Sequence, residues 1–197
     1  MDEHVRKISL SEVQLNVYEE GEGPVVLLLH GFPDSHALWR KVSPLLLEEG
    51  FRVIAPDLRG FGESSAPRGR RNYRMDRVAA DLLELLDELG LSRVHVVGHD
   101  WGAVIAWILA SKHPERCLSL TALSVGHPTA YARAGWEQKR KGWYTLFFQL
   151  RGLAEWFISR NDFAFLRKWA RGYPETDKWI SELSRPGRLT AGLNWYR

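Results

Sequence analysis

The strongest chemical signal in the chain is an aspartate between two glycines, Gly98-His99-Asp100-Trp101-Gly102, where the buried run at 94–97 meets a helix. A strand that turns directly into a helix passes through a tight, strained corner, which lifts one side chain clear of the sheet. Glycines flank it because neighbouring backbone passes too close for a Cβ. A carboxylate presented in this way can attack a saturated carbon and leave an ester, which an activated water hydrolyses at the carbonyl carbon. A serine there would leave an ether, which water does not readily cleave. The helix beginning at Trp101 directs its positive end at the same place. The aspartate would also serve as a plain N-cap, and the pentapeptide alone leaves both readings open.

The elements that must hold this corner are legible on either side of it. Positions 5–10 and 13–18 alternate polar and apolar residues, as a half-exposed antiparallel pair does. Positions 25–29 are continuously apolar, the mark of a strand buried on both faces, and 51–55 reads the same way. A helix is predicted over 35–49, with Leu38, Val42, Leu45 and Leu46 on one side, and a long amphipathic one over 75–89, stopped by Gly90. A further helix at 103–111 closes at His113-Pro114, and 117–124 is one more strand. Alternating strands and helices imply an α/β fold, a mostly parallel sheet covered by helices on both faces. Past Gly126-His127-Pro128 the pattern turns helical and aromatic, with no convincing strand over 131–197. The expected division is a core at 1–127, through the sixth strand, and a helical cap at 128–197.

Composition narrows the function classes. The chain has 197 residues, 45% hydrophobic and 26% charged, as an ordinary globular domain does. Its start, Met1-Asp2-Glu3-His4, lacks the basic-then-apolar pattern of a signal peptide, and no apolar run is long enough to span a bilayer. The single Cys117 rules out an internal disulfide and fits a reducing compartment, so a cytoplasmic location is expected. The net charge of +3 is uneven: 14 Lys+Arg against 18 Asp+Glu over 1–132, but 13 against 6 over 133–197. Spread among Trp and Phe at helical spacing, the basic excess reads as solvated helix faces, with neither nucleic acid nor membrane as partner.

Two upstream motifs decide what the aspartate is for. His30-Gly31-Phe32-Pro33 follows the first buried strand, and Asp57-Leu58-Arg59-Gly60-Phe61-Gly62-Glu63-Ser64 follows the next. Together with Gly98–Gly102, each after a strand and in this order, they closely resemble the α/β-hydrolase family, from about Val25 to the last residue. The resemblance implies Asp100 as nucleophile. It implies the backbone N–H groups of Phe32 and Trp101 as the oxyanion hole, and His30, Gly31, Pro33, Gly98, His99 and Gly102 as supports of the two turns.

With aspartate at the corner, two subgroups fit: epoxide hydrolases and haloalkane dehalogenases. Dehalogenases hold the departing halide with two side-chain N–H groups. Trp101 could supply one, but Phe32 has none to offer. Epoxide hydrolases use two cap tyrosines on the ring oxygen, and here Tyr144 in Trp143-Tyr144-Thr145-Leu146-Phe147-Phe148-Gln149 and Tyr196 in Leu193-Asn194-Trp195-Tyr196-Arg197 resemble those positions. The resemblance therefore implies an epoxide hydrolase that needs no cofactor or metal and acts on a small-molecule epoxide.

It also implies a water-activating histidine and its orienting acid on loops after the cap. His4, His30, His36, His95, His99, His113 and His127 are not placed for that role, and positions 122–126 carry no carboxylate. The C-terminal part of the core is accordingly expected to be absent from this chain. It would be supplied by a continuation of the chain or by a complementary C-terminal chain, and a homo-oligomer is the other partner expected. A haloalkane dehalogenase or related hydrolase, and a non-catalytic ligand-binding form, are the alternatives.

Overall fold

Five successive apolar residues bury β3, Val25–Leu29, on both faces, and the rest of the sheet is built around it. The computed structural model describes residues 4–127, 129–130, 133, 135, 140 and 142–197. The polar start at Met1 to Glu3 and the beginning of the predicted cap at Pro128 lie outside the described residues. The other strands are β1 (Val5–Ser9), β2 (Gln14–Glu20), β4 (Arg52–Pro56), β5 (Val94–His99) and β6 (Cys117–Leu123). They form a six-stranded sheet in the order β1-β2-β4-β3-β5-β6. β1–β2 and β2–β4 are antiparallel, and β4–β3, β3–β5 and β5–β6 are parallel.

Alternation within β3 divides its side chains between two apolar layers. Val25, Leu27 and Leu29 join Leu82 and Leu85 of α2 (Met75–Glu88) and Ile105 and Leu109 of α3 (Trp101–Lys112). Val26 and Leu28 face the opposite layer, where Leu46 and Leu47 of α1 (Ser43–Glu48) pack with Trp39. With both faces covered, apolar residues at every position of the strand are stabilising.

The helix predicted over 35–49 is in fact two pieces, a 3-10 turn at His36–Trp39 and α1. Pro44 sits in the first turn of α1. A proline there has no N–H to lose and a backbone already set for helix, but it cannot lie inside a longer one.

Beyond β6 come α4 (Trp143–Phe147), α5 (Leu153–Trp169, bent at Arg160–Phe163), α6 (Thr176–Ser184) and α7 (Arg188–Asn194). They pack over the loops that leave β3 and β4. Phe148, Ile158, Leu166, Leu193 and Trp195 merge with Phe32 and Phe61 into the main apolar core. Polar contacts pin the same surface: Arg40 to Glu175 (2.6 Å), Arg185 to Glu63 (2.6 Å), and the Trp179 indole N–H to Asp34 (3.2 Å). The Trp195 indole N–H reaches the buried carbonyl of Arg59 at 3.1 Å. Among the described residues no helix is long and apolar enough to cross a membrane.

Candidate active site

Asp100 stands at the carboxyl end of β5 with φ 53° and ψ −121°, a backbone state that non-glycine residues avoid. The fold holds it there from both sides. Its N–H donates to the Leu123 carbonyl of β6 (3.3 Å), and its own carbonyl accepts from Ala103 (3.0 Å) and Val104 (3.2 Å) in α3. A Cβ at Gly98 would strike the backbone of Gly102 and Ala103, and one at Gly102 would strike the Leu29 and His30 carbonyls. The corner thus brings β5, α3 and the end of β3 closer together than any side chain permits. Strain of this kind persists only where the surroundings over-determine it.

The Asp100 side chain does not cap α3. Instead Oδ1 accepts the Phe32 N–H at 2.9 Å, and the carboxylate lies where a Gly31 side chain would be. Burial raises its pKa above the usual 3.8, against the opposing pull of the Trp101 and Phe32 backbone N–H groups. Those two amides are the ones assigned to the oxyanion hole from the sequence, and they converge on this carboxyl group.

Tyr196 forms the roof. Its ring packs edge-on against Trp101 (5.0 Å between centroids), Phe32 (5.7 Å), Phe148 (5.0 Å) and Tyr144 (6.1 Å). Burial first, then the negative charge of Asp100 and the neighbouring Tyr144, push its hydroxyl well above the usual 10. The phenol therefore keeps its proton until a strong base appears beside it. The Trp101 indole N–H is buried here beside the Tyr196 hydroxyl and has no partner within full hydrogen-bond geometry among the described residues.

A narrow apolar pocket opens from this cluster between Phe32, Tyr144, Tyr196, Ile158, Phe165 and Trp169, with a cavity of about 10 Å³, room for roughly one water. Ile158 lies before the bend in α5, and Phe165 and Trp169 lie four residues apart after it. In the sequence they are apolar residues at helical spacing, which signals a buried face without saying what it faces. A roomier hollow, about 510 Å³ and lined by Asp87, Gly90 and Arg116, lies at the amino ends of β5 and β6. That is the opposite end of the strands from Asp100, and the open end of a parallel sheet where ligands bind is the carboxyl one.

The histidines fall into separate roles. His30 is fully buried, with Nδ1 2.9 Å from the Gly31 carbonyl and Nε2 accepting the Leu58 N–H at 2.9 Å, so both ring nitrogens are engaged in joining the two loops. His99 ends β5, partly buried. Pro33 follows Phe32 through a cis peptide bond. His127 packs against Trp107 at 5.0 Å and lines no part of the pocket.

Sequence reasoning missed the residue that organises the loops. Asp57 is 1% exposed and accepts four hydrogen bonds, from His36 Nδ1 (2.7 Å), His36 N–H (2.8 Å), Asn16 Nδ2 (2.9 Å) and Glu63 N–H (3.0 Å). Burial alone would raise its pKa. The His36 contact outweighs this and holds the carboxyl down at about 2. The available signal was a carboxylate directly after a buried strand and at the head of a glycine-rich loop. The ring of His36 stacks on Tyr18 beside Glu20 and Arg40, away from the pocket next to Asp100.

A family model described as alpha/beta hydrolase fold matches residues 24–185. Epoxide hydrolase 4 of Homo sapiens is 36% identical over 190 residues, which cover 88% of this chain and 52% of that protein. Epoxide hydrolase A of Mycobacterium tuberculosis is 33% identical over 237 residues, covering 98% and 73%. The crystal structure of an epoxide hydrolase from Vigna radiata superposes with a TM-score of 0.82 at 31% identity, covering 99% of this chain and 71% of that one. The chain thus spans about half the length of the human relative and about seven tenths of the other two.

Proposed function

Since this chain belongs to the α/β hydrolase fold family, we propose that it carries the ring-opening machinery of an epoxide hydrolase, with helices α4–α7 acting as the cap. The observation that carries the reading is the meeting of Asp100 with Tyr196 over the Phe32 and Trp101 amides. The Asp100 carboxylate attacks a ring carbon of the oxirane, and the C–O bond of the ring breaks. Tyr196 and Tyr144 give the departing alkoxide a proton. The product is a hydroxyalkyl ester on Asp100.

In the second step water adds to the ester carbonyl carbon. The negative charge then lands on the oxygen held by the Phe32 and Trp101 N–H groups. Collapse releases the vicinal diol, and the proton left on the Asp100 carboxyl group returns to the tyrosine phenolate, which restores both the carboxylate and the phenol. This step needs a general base for the water and an acid to orient that base. We assign neither role to a described residue: the seven histidines include the doubly engaged His30 and the outlying His36 and His127. A cofactor-free reaction, a cytoplasmic setting and an apolar epoxide small enough for a narrow aromatic pocket belong to the same proposal.

The test is intact-protein mass spectrometry after incubation with styrene oxide. An adduct of the full mass of the epoxide is expected, mapping to Asp100 and absent from Asp100→Asn. An adduct that survives this change, or maps elsewhere, overturns the assignment. One observation favours a second reading, haloalkane dehalogenation: the buried, unbonded Trp101 indole N–H would suit a halide. Phe32 offers no second side-chain donor. Halide release from a bromoalkane, with no adduct from the epoxide, would establish that reading instead.

A further inference from the structure

The last eight residues of the connection between β4 and α2 read Pro67-Arg68-Gly69-Arg70-Arg71-Asn72-Tyr73-Arg74, four arginines with no acid among them, and ring opening uses none of these. Arg70, Arg71 and Arg74 line a hollow of about 370 Å³ whose other wall is Asn194, Trp195 and Arg197 from the end of α7. Among the described residues no acidic side chain lines it.

The charge balance is specific. Arg74 is answered by Asp76 (3.0 Å) and Arg197 by Glu155 (2.7 Å). Arg70 and Arg71 form no ion pair among the described residues. Two guanidinium charges are therefore left facing a concave surface with an aromatic floor, where Trp195 is 3% exposed. Asn194 accepts from Arg197 through Oδ1 (3.4 Å), which leaves its NH2 as a further donor.

We propose that this hollow binds a dianionic phosphate group, free or carried on a small phosphorylated molecule. Guanidinium forks match the oxygens of a tetrahedral anion in pairs. A phosphate monoester carries roughly −1.5 to −2 at neutral pH, which fits the uncompensated charge better than a single carboxylate does. A concave surface concentrates the potential of its charges. The volume suits a small molecule more than a bare ion. Bound there, the anion would tie the β4–α2 loop to the end of α7, next to Trp195, which packs on Trp101 at 5.9 Å. The inference does not depend on the ring-opening chemistry.

The experiment is calorimetric titration of the purified protein at low ionic strength with inorganic phosphate and with glycerol 3-phosphate, against chloride at matched ionic strength. Thermal shifts are read in parallel. Both phosphates should bind and raise the melting temperature where chloride does not. Arg70→Glu/Arg71→Glu, at two exposed positions, should weaken binding about tenfold or more. Arg151→Glu/Arg160→Glu, an equal charge change outside the hollow, should stay within about twofold. Tighter binding of the ester than of inorganic phosphate identifies a phosphorylated small molecule, and equal binding identifies the free anion. Phosphate acting no differently from chloride, or equal losses in both double variants, overturns the proposal. A titration with a single-stranded oligonucleotide is run beside these, and an Arg70-dependent affinity confined to it also overturns the proposal.

Discussion

Replacing Asp57 by asparagine tests whether a single buried carboxylate holds the loops around the site. Four donors converge on its two oxygens, His36 N–H and Nδ1 on one, Asn16 Nδ2 and Glu63 N–H on the other. An asparagine must turn its NH2 toward one of these pairs, so at least one backbone or side-chain N–H faces another donor in a buried place. Together with the lost charge, this should cost roughly 3 to 5 kcal/mol at pH 7.

The charge component has its own signature. The carboxyl is held at about 2 instead of the usual 3.8. Because the folded value is the lower one, its contribution is fully present above 3.8 and is lost as pH falls through about 2. Its size is about 2 kcal/mol. Glu19 and Glu155 are also depressed, whereas Asp81 and Asp100 are raised, so the wild-type curve alone mixes opposing slopes. The difference between wild type and Asp57→Asn removes them. Urea unfolding followed by tryptophan fluorescence and circular dichroism, from pH 6 down to the lowest pH at which both fold, should show the gap narrowing toward pH 2. A gap that stays constant across the series would refute the argument, and so would one below about 0.5 kcal/mol at pH 7.

Three further outcomes follow from the site. Gly102→Ala places a Cβ against the Leu29 and His30 carbonyls, and should cost at least about 3 kcal/mol or prevent folding; a melting temperature within a degree of wild type contradicts this. Alkylation of Asp100 needs the ionised carboxylate, and burial raises its pKa, so the acid limb of the adduct-formation rate should fall above pH 3.8; a midpoint at or below 3.8 shows that burial does not control the group. Tyr196→Phe keeps the ring packing on Trp101 and Phe32, and should slow adduct formation on the order of 100-fold without changing the melting temperature; an unchanged rate in stopped-assay mass spectrometry removes Tyr196 from the chemistry.

What could be read from the sequence was whatever a short window contains. The buried strand β3, the amphipathic α2 and the Gly98–Gly102 corner each carry their signal within about fifteen residues, in periodicity or in glycines at fixed offsets. The break between the 3-10 turn at His36–Trp39 and α1 was within reach too, but the apolar stripe through Leu38, Val42, Leu45 and Leu46 masked the proline that causes it. The polar framework was not legible. Asp57 finds Asn16 and His36 at separations of 41 and 21 residues, and Trp195 finds the Arg59 carbonyl at 136. Such partners meet only once the chain has folded, and no local pattern announces them. The placement of Tyr144 beside Tyr196 lay in the same class, and only family resemblance brought those two residues to attention.

The carboxylate of Asp100 occupies the volume that a side chain at position 31 would need. A methyl at position 31 would meet the Asp100 side chain itself, and one at 98 or 102 would meet the backbone that aims it, so none of the three can change alone. Freedom to diversify is displaced to the other wall of the pocket, to Phe148, Ile158, Phe165, Leu166 and Trp169, whose side chains meet the cavity without fixing the corner. Laboratory evolution confined to those five positions would explore what the pocket admits while leaving the geometry of Asp100 intact. A library spread over the strand ends would mostly return unfolded protein. The fold thus separates a sterically fixed corner around Asp100 from a pocket wall free of that constraint, and it does so by steric exclusion at three glycines.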